Sequence, residues 1–73
     1  MDENLQILYM QTRLVRLASE QWNMHFQTVN ELFQKYGVFQ YVADCWGVFH
    51  VEGDFAVLED VKQYLKNKGA NIG

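Results

Sequence analysis

The sequence predicts an all-α fold, a compact four-helix domain with a helical hairpin bent at Gly37. Apolar residues recur at helical spacing on both sides of that glycine. Val29, Leu32, Phe33 and Tyr36 precede it, and Val38, Tyr41, Val42, Cys45 and Phe49 follow it. A third apolar series, from Leu5 to Trp22, covers nearly half a helical wheel. With no proline, no repeat and no low-complexity tract, residues 1–73 read as a single helical domain without a linker.

In the first helix Ile7, Leu8, Met10, Leu14, Val15, Leu17, Ala18 and Trp22 form the apolar arc, opposite Gln6, Thr12, Arg13, Arg16, Ser19 and Glu20. Asp2 or Asn4 can cap it, and Asp2 and Glu3 suit the positive end of its dipole. Leu5 and Tyr9 project outside the arc, which makes them candidates for an exposed contact. Asn23 breaks the pattern. Thr28 and Glu31 then have the spacing of a capping box, so a second helix is expected to start at Thr28 and run to Tyr36. Gly37 supplies the left-handed residue that closes it. The third helix is expected from Val38 to a point between Trp46 and His50, with Gly47 making its last turn uncertain. Residues 48–58 admit two readings. Val48–Val51 and Phe55–Leu58 flank Glu52, Gly53 and Asp54 as a short hairpin would, which gives an α+β alternative. A two-stranded ribbon alone is marginal in water. The preferred reading is a loop at Glu52–Phe55 with Asp54 near the cap of a last helix, whose inward residues are Val57, Leu58, Val61, Tyr64 and Leu65. Lys66 and Lys68 suit the negative end of that helix, and Gly69 closes it.

A 73-residue chain buries only about 60% of the surface its unfolded form exposes. Nearly half of its residues are nevertheless apolar, with five phenylalanines, four tyrosines and two tryptophans. That is more than such a small core comfortably hides, so some of these side chains are expected in an interface. The net charge of −3 is opposite to what phosphate neutralisation requires. The lone Cys45 excludes an internal disulfide, Asp2 and Glu3 stand where a signal peptide would be basic, and no apolar run approaches a membrane span. The chain therefore reads as cytoplasmic.

Residues 28–46 have the outline of a DNA-binding helix-turn-helix, but Phe33 occupies the crossing position where that motif has a small residue. The would-be recognition helix, Phe39–Trp46, offers only Gln40 for base readout and carries Asp44. His25, His50 and Cys45 are the only soft metal ligands, and their spacing matches no metal motif. His50 beside Glu52 and Asp54 could act as a general base, but a histidine bonding a backbone carbonyl accounts for it more simply. Cys45 lies on the inward stripe, where a cysteine is usually a small inert hydrophobe. The scattered glycines form no phosphate loop. Trp22, Tyr36, Tyr41, Trp46 and Tyr64 fall at core spacing, with Tyr9, Phe39 and Tyr41 at the margins of their stripes. No catalytic residue, metal, cofactor or small-molecule substrate is expected.

From Leu32 to Gly69 the chain resembles a small uncharacterised bacterial family of short helical proteins. In that family a Leu-x-x-Lys-Tyr-Gly-Val segment leads into a helix ending in a leucine–histidine pair, then a glycine, an Asp-Ile/Val helix and a closing basic residue and glycine. The matching residues are Leu32, Lys35, Tyr36, Gly37, Val38, Tyr41, His50, Gly53, Asp60, Val61, Tyr64 and Gly69. The chain departs from the pattern at Trp46–Phe49. Genes of this family often neighbour a presumed ADP-ribosyltransferase-like toxin family, so the resemblance implies a partner protein or an accessory role and assigns no catalytic residue. Together these readings lead to an expected protein–protein interaction module, homodimerising or binding a co-encoded partner, with Leu5, Tyr9, Phe39 and Tyr41 as contact residues. A helix-turn-helix DNA-binding regulator is the alternative.

Overall fold

In the computed structural model, which describes residues 2–72, the chain forms five helices and, among those residues, no strand. They are α1 (Glu3–Gln21), α2 (Phe26–Lys35), α3 (Val38–Asp44), α4 (Trp46–Phe49) and α5 (Asp54–Asn67). Helices α1, α2 and α5 correspond to the first, second and last expected helices, and the expected third helix is divided into α3 and the single turn α4. The all-α reading holds, and the hairpin alternative at 48–58 is replaced by α4, a short loop and the start of α5.

Asp2 caps α1, its carboxylate accepting from the Asn4 amide at 3.2 Å. The far end closes through Asn23, the one non-glycine residue with positive φ (53°) among the described residues. The Met24 amide donates to the Ser19 carbonyl at 3.1 Å, and the Ser19 hydroxyl donates back to the Met24 carbonyl at 2.5 Å. This tight stop changes where α2 begins. It starts at Phe26 rather than Thr28, because the His25 ring takes the capping position and its Nδ1 accepts from the Gln27 amide at 3.1 Å. Thr28 thus falls inside the first turn, and the expected capping box is not what starts the helix.

At the other end of α2 the Tyr36 amide still bonds to the Leu32 carbonyl, and Gly37 turns the chain with φ of +71°. Its own carbonyl accepts from the Tyr41 amide at 3.0 Å, so one residue both ends α2 and starts α3. A side chain is disfavoured there by the backbone angle, not by crowding, since the nearest atom to an added Cβ would be the Tyr64 hydroxyl at 3.6 Å.

The expected third helix is interrupted at Cys45, not at Gly47. The Cys45 carbonyl accepts from both the Val48 and Phe49 amides at 2.9 Å, and α4 sets off from this kink with Phe49 buried in the core. Gly47 is exposed and breaks nothing. In α5 the residues Val57, Leu58, Val61 and Leu65 are buried as expected, and Asp54 occupies the first turn. Gly69, with φ of +86°, closes α5 while the Ala70 amide reaches back to the Leu65 carbonyl at 2.9 Å. Ala70 and Ile72 then return to the core, a contribution that helical periodicity could not predict.

The core is built from Met10, Leu14 and Ala18 of α1, Val29 and Phe33 of α2, Val38 and Val42 of α3, Phe49, and the inward face of α5. Helix α1 packs against α2, α3 and α5. Its buried stripe is narrower than the arc drawn from sequence. Leu8 is 52% exposed, because α1 offers one face to α5 and another to the α2–α3 hairpin, and Leu8 falls at neither seam.

Candidate interaction groove

A groove of about 840 Å³ runs along α1 beside α2 and α3. Helix α1 supplies Leu8, Thr12, Val15 and Ser19, which succeed one another at four and three residues and so share one face. Phe26 and Asn30 of α2 and Phe39 of α3 complete the lining, and Arg16 and Glu20 contribute the charged side chains. Phe26 is 63% exposed, so both Leu8 and Phe26 present apolar surface that the chain does not cover. The Phe26 ring is stacked on the capping His25 ring, with centroids 5.3 Å apart. Phe39 is held more firmly. Its ring edge meets Phe33, and its carbonyl accepts from the Gln11 side-chain amide at 2.9 Å, which ties α3 to α1 beside the groove.

The four contact residues drawn from sequence do not converge. Phe39 lines the groove; Leu5 and Tyr9 are exposed near the start of α1, outside the lining; Tyr41 is half-buried elsewhere. Leu8 and Phe26 were missed. In the sequence Leu8 belongs to the broad apolar arc of the first helix, and Phe26 lies between the break at Asn23 and the expected helix start at Thr28, so neither is singled out as a contact.

Tyr41 belongs to a second cluster, where the residues of the family resemblance gather. Its ring stacks on Tyr64 at 4.1 Å and meets Phe49 edge-on. The Tyr64 hydroxyl donates to the Tyr36 carbonyl at 2.7 Å, bonding α5 to the peptide just before Gly37. The ammonium groups of Lys35 and Lys68 lie over the rings of Tyr36 and Tyr64 respectively, each 5.4 Å from the centroid. Burial pushes the Tyr41 hydroxyl above its usual range, helped by Cys45, Asp60, Tyr64 and Glu52. Glu52 is also pushed up, by exclusion from water first and then by the neighbouring Asp60. Its Oε2 is closed off from solvent with no partner.

These motif positions have structural work. Gly37 makes the pivot, Tyr36 and Tyr64 latch it, and Gly53 precedes α5 as its cap residue. The His50 Nδ1–H donates to the Trp46 carbonyl at 2.8 Å, which also accepts from the His50 amide at 2.9 Å. Among the described residues, no three His, Cys, Asp or Glu side chains are grouped to hold a metal ion. On the exposed side of α3 the Gln40 amide donates to Asp44 at 2.7 Å, so the one base-reading side chain of the helix-turn-helix outline is engaged by a carboxylate. Phe33, at the helix crossing, is fully buried against Trp22 and Phe39.

Among the described residues, no helix is long and apolar enough to cross a membrane. No curated protein and no solved structure matches the chain. A family profile described as protein of unknown function (DUF3791) matches residues 9–68, a span that takes in most of α1, the whole α2–α3 hairpin, the tyrosine cluster and α5. The chain belongs to this family of proteins of unknown function, DUF3791.

Proposed function

We propose that this protein is a small protein–protein interaction module, and that the groove along α1 is its docking surface. The observation that carries the reading is apolar surface at a concavity: Leu8 and Phe26 stand half or more exposed beside a groove of about 840 Å³ with Val15 and Phe39 in its lining. Isolated exposed hydrophobes are ordinary, but those that line one groove favour a partner. Partners compatible with this surface are a second copy of the chain or a co-encoded protein.

Replacing both Leu8 and Phe26 by glutamate tests the reading, since both side chains are largely exposed and the core is left intact. Co-purification from the native cell, compared between wild type and this variant, should lose specific associated chains, including further copies of the protein itself. The same set recovered with both proteins would overturn the groove as the docking surface. A nucleic-acid role has less support, because α3 carries no basic residue and its Gln40 is bonded to Asp44.

A further inference from the structure

Resting on the groove as a docking surface, we infer that its occupant is a second copy of this chain, related by a two-fold axis where the two α1 helices cross near Val15 and Ser19. Three features of the lining favour self-association. Val15 and Ser19 lie one turn apart on α1 and are small enough for a second helix to approach closely. Arg16 and Glu20 lie one turn apart beside them, and neither side chain has an ion-pair or hydrogen-bond partner among the described residues. A two-fold crossing at this point sets Arg16 of each copy against Glu20 of the other, so both charges are matched twice over. The lining is also neutral, holding one positive and one negative side chain, which suits a copy with the same pair better than a strongly basic or acidic partner.

The area is sufficient. A standard interface takes about 800 Å² from each partner, roughly a sixth of the 4711 Å² this chain exposes. The 19 residues of α1 provide a face about 28 Å long. Docking there covers Phe26 and Leu8 at the two ends of the groove.

Sedimentation velocity on the full chain, from low to high micromolar concentration, tests the inference with charge reversals that leave the core untouched. The wild type should dimerise, and Leu8→Glu with Phe26→Glu should be monomeric with an unchanged helical spectrum. Arg16→Glu or Glu20→Arg alone should weaken the dimer by about tenfold or more, because the two-fold axis repeats each repulsion. Mixing these two single variants should restore a heterodimer, and combining both changes in one chain should restore the homodimer. A wild type that stays monomeric overturns the inference, as does a dimer indifferent to the Leu8 and Phe26 changes or one that mixing does not rescue. The broader docking reading fails by a different result, namely co-purification that does not depend on the groove.

Discussion

Glu52 shows how one side chain can oppose the fold that holds it. Its carboxyl is pushed above the ordinary range by exclusion from water and by Asp60, so the folded state binds a proton more readily than the unfolded chain does. The sign follows from linkage. The stabilising contribution is fully present below the ordinary glutamate range and is lost as pH rises through the elevated one. The wild type's melting temperature should therefore rise on acidification through the elevated glutamate range, and Glu52→Gln should flatten that rise and be at least as stable at neutral pH. Thermal melts across that range check this, and a variant with an unchanged pH profile would contradict it. Gly37→Ala tests a different residue-scale cost. At φ of +71° an alanine is strained by roughly 1–2 kcal/mol, which should lower the melting temperature by several degrees without altering helix content.

Between elements, the strongest local determinants act at the ends of helices. The turn at Gly37, the closure at Gly69 and the Asp2 cap were legible because each uses a residue whose backbone or side-chain chemistry favours that position. The inward face of α5 was legible from periodicity alone. Two boundaries were not. His25 is outside the usual set of capping residues, so the start of α2 was placed two residues late. The kink at Cys45 has no local signature, because it arises where Phe49 is delivered to a core built by distant segments. The groove was legible only through Phe39, since burial of one face of α1 depends on which neighbours reach it. His25→Ala should cost about 1 kcal/mol, and His25→Asn should recover most of it, as judged by chemical denaturation. Tyr64→Phe should cost about 0.5–1.5 kcal/mol by leaving the Tyr36 carbonyl without its hydroxyl partner, while the stacking on Tyr41 remains.

For the molecule as a whole, the narrow margin of a 73-residue domain sets the scale. A chain of this length has about 4–11 kcal/mol to lose. Phe33 is fully buried and edge-packed on both Trp22 and Phe39, and truncating it to alanine should cost about 3–5 kcal/mol, enough to leave much of the protein unfolded at ambient temperature by circular dichroism. The same narrowness gives the hinge glycine a consequence for how this chain can vary in length. Because only Tyr36 and Gly37 join α2 to α3, the joint has no slack. One inserted residue would rotate the following helix by about 100° and carry Val38 and Val42 away from the interior. The segment from His50 to Gly53 has no such constraint, since lengthening an existing loop adds only a fraction of a kcal/mol. Insertions and deletions should therefore be tolerated in that second connection and rejected at the first.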